Sequence, residues 1–157
     1  MNRLAASPTP RLEPLKWSPR YETGVPALDA QHQRLFEIVE EVGARARGAD
    51  GRQGDAFEAI FDRLADYAQF HFDFEEELQA EAGLPEAERR AHAETHRAFI
   101  REMQSLWVRR ADFEHAGEAL YRFLAVWLID HVLGDDLDSA GALRRAAMPT
   151  PPADDAA

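Results

Sequence analysis

Five of the six histidines fall on apolar helical stripes, and two pairs of potential ligands stand one turn apart. His92 and His96 are four residues apart, and so are His71 and Glu75. At that spacing both members of a pair project from one face of a helix. Imidazole nitrogens and carboxylate oxygens presented this way are metal donors. The chain has no cysteine, which removes disulfides, thiolate sites, iron–sulfur clusters and cysteine nucleophiles and leaves the redox compartment open. His131 and Asp136 are five apart, about 140° round an ideal helix. They meet only if the chain tightens or breaks at Gly134, so Asp135 is a rival on geometry. Glu76 and Glu77 point elsewhere than Glu75 and read as solvated.

The elements that must position these residues follow from periodicity. Leu28, His32, Leu35, Phe36, Val39 and Val42 recur at helical steps, giving a first helix that fades near Arg47. A loop holding Gly48, Gly51 and Gly54 precedes a second helix from Asp55, whose apolar face runs from Phe57 through Leu64, Ala68 and His71 to Leu78. Gly83-Leu84-Pro85 stops it. His92, His96, Phe99, Met103 and Trp107 mark a third helix; Leu120, Phe123, Leu124, Trp127, Leu128 and His131 mark a fourth. Asp112 is expected to cap the fourth and Gly134 to end it. No segment alternates as a strand does. The fold class expected is all-α, an antiparallel up-down four-helix bundle with an extended N-terminal arm. The arm is residues 1–20, interrupted by Pro8, Pro10, Pro14 and Pro19 and anchored by Leu15 and Trp17. The bundle is 21–145, and the Pro/Ala/Asp-rich stretch 146–157 is expected to be disordered.

In such a bundle the start of helix one, the latter half of helix two, the start of helix three and the end of helix four share one end. His32, His71, His92, His96 and His131 therefore lie at one level. A single buried histidine is more often a hydrogen-bonded core residue; five converging imidazoles are a metal site. His115 falls at the far end and reads as a surface residue. Five imidazoles and two carboxylates are too many for one ion. They provide roughly nine donors against the about twelve positions of two octahedra, so a bridged pair with one shared solvent oxygen leaves a position open. Ligand types alone do not select iron over zinc, copper or nickel.

Other chemistries fall away. The 157 residues carry a formal net charge of −11, against nucleic-acid binding and against docking on an anionic membrane. No apolar run reaches the ~18–20 residues of a membrane span, and the N-terminus has no signal-peptide core, so the chain is expected to be cytoplasmic. His92-Ala93-Glu94-Thr95-His96 has Ala93 where a zinc peptidase needs glutamate. Carboxylate-rich di-iron proteins need Glu-x-x-His pairs, but Ala68, Arg89, Ala93 and Leu128 precede the four downstream histidines. No serine sits in a nucleophile elbow. The chain is not expected to be an enzyme.

With these residues in hand, the chain resembles the hemerythrin family, in particular its single-domain bacterial members. The resemblance rests on Thr23-Gly24-Val25-Pro26-Ala27-Leu28-Asp29-Ala30-Gln31-His32, on His71-Phe72-Asp73-Phe74-Glu75-Glu76, on His92-x3-His96 and on Trp127-Leu128-Ile129-Asp130-His131-x4-Asp136. It implies two iron ions (Fe2+/Fe3+) with an oxo or hydroxo bridge, and it selects Asp136 over Asp135. By this resemblance His92, His96 and His131 hold the six-coordinate iron, His32 and His71 hold the iron with a vacant position, and Glu75 and Asp136 bridge them. The implied function is reversible dioxygen binding for storage, transport or delivery, with an oxygen-consuming enzyme as a candidate recipient. An oxygen or redox sensing module acting through a protein partner is the alternative. Leu35, Phe72, Trp127, Leu128 and Val132 are the pocket residues suggested by helix position. A monomer is expected, since each stripe is narrow enough for one core. Leu78 and Gln79 depart from the methionine that family members often carry just after the glutamate pair.

Overall fold

The computed structural model of the chain describes residues 13–47, 55–112 and 116–147. Four helices form the bundle: α1 (Pro26–Arg47), α2 (Asp55–Glu81), α3 (Glu86–Val108) and α4 (Ala116–His131). Helix α1 packs on α2 and α4, and α3 packs on the same two, so the four enclose one core. The core is the set of stripes read from the sequence, including Leu35, Phe36, Val39, Leu64, Phe72, Phe99, Met103, Leu124 and Leu128. At the end remote from the histidines, Trp107 stacks on Phe61 with ring centroids 4.2 Å apart. No helix among the described residues is long and apolar enough to cross a membrane.

Helix α1 begins where the sequence makes it begin. Gly24 takes a positive φ of 77°, open to glycine at little cost, and Pro26 supplies a preset φ at the first helical position. The Asp29 carboxylate reaches back to accept from the Thr23 backbone N–H at 2.7 Å, the Thr23 hydroxyl at 2.7 Å and the Gly24 N–H at 3.1 Å. These bonds fix the exit of the chain three residues before His32.

The segment before α1 is anchored. Leu15 is buried, and its N–H donates to Glu40 at 2.8 Å and to the Tyr121 hydroxyl at 3.0 Å. The Tyr121 hydroxyl donates onward to the Glu13 carbonyl at 2.8 Å. Trp17 meets Phe36 edge-on at 5.3 Å and lies 6.3 Å from the His32 ring. Residues 1–12, the 48–54 loop and 148–157 lie outside the described residues.

One expectation fails. Gly134 does not end the fourth helix. The chain continues through a π turn, Val132–Asp136, into a further helix, α5 (Leu137–Ala147), which packs on α2. Gly134 keeps a negative φ, and a Cβ added there would meet nothing within 4 Å, so nothing requires the helix to stop. Asp112, the expected cap of α4, ends a short 3-10 turn after α3 (Arg109–Asp112), and its side chain lies outside the described part of the structure. The residues leading from it into α4, His115 among them, lie outside the described ones. Gly134→Ala is expected to raise stability by about 0.5–1 kcal/mol in urea denaturation, as for a helix-interior glycine. A glycine needed to end the helix would give the opposite sign.

Candidate metal centre

The π turn solves the geometric problem at His131 and Asp136. A π-helical hydrogen bond spans five residues rather than four, and the Leu137 N–H bonds the Val132 carbonyl in that pattern. The turn widens instead of tightening, and residues five apart then share a face. Asp136 Oδ1 comes to 3.2 Å from His131 Nε2, and the Asp136 side chain is fully buried. Asp135 faces outward, with its side chain 48% exposed.

All seven residues read from the sequence converge at one end of the bundle. His32, His71, Glu75, His96, His131 and Asp136 are buried, and the His92 side chain is only 9% exposed. The histidines fall into two groups. His32 and His71 have ring centroids 4.9 Å apart. His92, His96 and His131 form a triangle with centroids 4.6, 5.0 and 4.9 Å apart. The carboxylates lie between the groups. Glu75 Oε2 is 3.9 Å from His71 Nε2, 3.3 Å from His96 Nε2 and 3.6 Å from His131 Nε2. Its Oε1 is 3.2 Å from His92 Nε2. Asp136 Oδ2 is 3.0 Å from His32 Nε2, and its Oδ1 is 3.5 Å from His92 Nε2.

The donor atoms are left facing one another. His32 Nε2, His71 Nε2, His92 Nε2, Glu75 Oε2 and both Asp136 oxygens are buried without a hydrogen-bond partner. Native proteins leave few such atoms, because each costs about 1–3 kcal/mol. Their concentration at one point marks the place of cations. Two overlapping sets, Glu75 with His92, His96 and His131, and Glu75 with His71, His131 and Asp136, each have donor atoms close enough to hold an ion.

Three residues outside that set turn the rings to face it. The His71 Nδ1–H donates to the Gln31 side-chain oxygen at 3.0 Å, His96 Nδ1–H to Glu76 at 2.9 Å and His131 Nδ1–H to Asp135 at 3.2 Å. Those oxygens only accept, so each ring carries its proton on Nδ1 and presents Nε2 inward. Glu76 is therefore not a merely solvated acid, as the sequence suggested, and Gln31 was not singled out at all. A usable signal existed: each lies beside a proposed ligand in the chain. Flat contacts hold the rings further. Phe72 stacks on His96 at 3.9 Å and 10°, and Trp127 stacks on His131 at 4.3 Å and 20°. Leu35, Leu128 and Val132 are buried in the same apolar cluster.

Without metal the electrostatics are strained. Burial lowers His32 to about 4 and holds His71 well below its ordinary 6.5, so both stay neutral. Burial would also depress His131, but the Asp136 charge and bonds to Asp135 and Glu75 outweigh it and raise it to about 10. Burial pushes Glu75 up, but the close approach of the His131, His92 and His96 rings prevails and keeps it well below the usual range. Burial and the Glu75 charge push Asp136 well above it. Protons thus occupy positions that cations can take, and cation binding releases them.

The fold and this donor set define a helical-bundle metal-binding domain. Residues 23–139 match the sequence model of the hemerythrin HHE cation binding domain. The chain is 32% identical over 132 residues to a bacteriohemerythrin of Pseudomonas aeruginosa, covering 84% of this chain and 83% of that protein. It is 32% identical over 122 residues to one of Stenotrophomonas maltophilia, covering 78% and 76%. It is 26% identical over 130 residues to a hemerythrin-like protein of Naegleria gruberi, covering 83% and 94%. The chain belongs to the hemerythrin family.

Two outcomes follow. Gln31→Leu is expected to weaken metal binding about 10–100-fold, read by competition with a chelator. For the metal-free protein, His32 and His71 stay neutral when folded but protonate when unfolded, so the stability they allow is complete above pH 6.5 and is lost as pH falls toward 4. Asp136, pushed well above its ordinary value, works in the opposite direction, and His131, raised to about 10, stays charged throughout that window. The metal-free protein is expected to lose stability as pH falls from 6.5 toward 4, measured by urea denaturation after chelation.

Proposed function

We propose that this protein binds dioxygen reversibly at two iron ions, serving oxygen storage, transport or delivery. The ligands are His32, His71, Glu75, His92, His96, His131 and Asp136. The observation that carries the reading is the split of five inward-facing imidazoles into a pair and a triangle with two buried carboxylates between them. That arrangement fits a pair of ions with unequal histidine counts better than one ion. When bound, the iron pair supplies the two electrons and the free coordination position that reversible dioxygen binding requires.

The chain's own residues do the rest. Gln31, Glu76 and Asp135 fix the ring orientations, so the donors are set before a ligand arrives. Leu35, Phe72, Trp127, Leu128 and Val132 supply the apolar lining of the oxygen pocket in this reading. Phe72, Leu35, Leu128 and Val132 are buried and exclude water. None of these five side chains can act as a general acid, and an apolar wall stabilises separated charge poorly. Dioxygen is therefore held without a proton donor that would drive cleavage of its bond, and it leaves intact.

Iron-loaded protein, reduced without air, should gain a visible band on exposure to oxygen and lose it when oxygen is removed. Metal analysis should give two irons per chain. His71→Ala should lose iron, whereas His115→Ala should keep it. Irreversible oxidation on the first exposure would sink the carrier reading in favour of a redox or sensing role. Zinc in place of iron, or well under two irons per chain, would overturn the centre.

A further inference from the structure

Gln79 lies one turn beyond Glu75 on α2 and is fully buried. Its side-chain Nε2 donates to Glu75 Oε1 at 3.2 Å. A carboxylate only accepts, so the amide must face Glu75 with its nitrogen. The same Glu75 oxygen lies 3.2 Å from His92 Nε2. The amide oxygen is buried and has no hydrogen-bond partner among the described residues. Packing does not account for this residue. Leu78, beside it on α2, and Ala82, just past the end of α2, belong to an apolar cluster with Val25, Leu28 and Leu143. A methionine of the same length would suit that setting and leave no acceptor unsatisfied. What the amide adds is one N–H aimed at a carboxylate between the two histidine groups.

We propose that Gln79 is a positioning residue that, through its hydrogen bond to Glu75, raises the reduction potential of the metal pair and slows its oxidation. The inference rests on the iron-pair reading above. An oxygen atom that accepts an N–H donates less charge to a cation. The higher oxidation state needs that charge more, so the bond favours Fe2+ over Fe3+. The positive end of the amide dipole points the same way. The oxidation opposed is the transfer of two electrons from two Fe2+ to dioxygen, which takes two protons from solvent and leaves as hydrogen peroxide.

The test uses the full-length iron-loaded chain. Gln79→Met keeps length and removes the donor. Gln79→Glu replaces the donor with a negative charge. Leu78→Met changes a buried neighbour that makes no bond to Glu75. Iron content, midpoint potential in an anaerobic dye titration and the rate of oxidation in air are measured for each. Gln79→Met is expected to oxidise about tenfold faster, the equivalent of one hydrogen bond to a charged group, and at a lower potential. Gln79→Glu should shift further in the same direction, and Leu78→Met should match the parent. All should keep two irons per chain. Unchanged potential and rate at full iron content would overturn the proposal. So would iron loss in both Gln79 variants with Leu78→Met intact, which would make Gln79 structural. A parent protein that binds no iron pair would fail the underlying function instead, and the metal analysis separates the two.

Discussion

Two carboxylates buried in the middle of a helical bundle are the constraint to which the surrounding structure answers. Glu75 and Asp136 are both fully buried, and an isolated charge in such a place costs several kcal/mol. The protein surrounds them with five imidazoles, whose neutral ring nitrogens are cation donors. Metal-free, the pair divides its burden unequally: Glu75 is held well below the usual carboxylate range, Asp136 is pushed well above it, and His131 is raised to about 10. That distribution is a placeholder. Divalent ions supply the positive charge for which both carboxylates and all five rings are arranged.

The remainder of the bundle keeps those seven groups from relaxing into a simpler arrangement. Left free, the rings would turn and hydrogen-bond the carboxylates with good geometry. Phe72 and Trp127 lie flat against two of the three triangle rings, and Gln31, Glu76 and Asp135 tie down one ring nitrogen each on His71, His96 and His131. Each of these supports sits on a helix rather than on a loop. The anchored segment before α1 adds Trp17 beside His32, whose outer nitrogen has no hydrogen-bond partner among the described residues. The donors therefore stay unsatisfied because the frame is stiffer than the attraction between them.

Much of this was legible in the sequence, and what was missed has a geometric cause. A 3.6-residue period reports a straight α-helix well, so the four stripes and the five histidines on them could be read directly. The His131–Asp136 pair could not, because the ideal helix separates residues five apart and nothing in Val132–Asp136 announces a π turn. Gly134 misled for the same reason: a glycine near the end of a stripe looks like a stop, but here it sits in continuous helix. Glu76 and Gln31 were overlooked because a helical wheel tracks where the Cβ points, not where a long side chain ends. Both carry an oxygen far enough from the backbone to reach the outer nitrogen of a ring on a neighbouring helix. The Leu15 and Trp17 anchors, by contrast, were visible as apolar residues in an otherwise proline-broken stretch.

The π turn has a consequence beyond Asp136. One extra residue in a turn rotates everything downstream, so the same insertion sets the azimuth of α5. In that setting Ala140 and Leu143 face inward, and Arg144 reaches the Thr23 carbonyl at 2.6 Å, just ahead of α1. Helix α5 thus packs on α2 and latches onto the segment that introduces His32. Register in Val132–Asp136 therefore couples the aim of a buried carboxylate to the seating of α5, and neither can slip without the other.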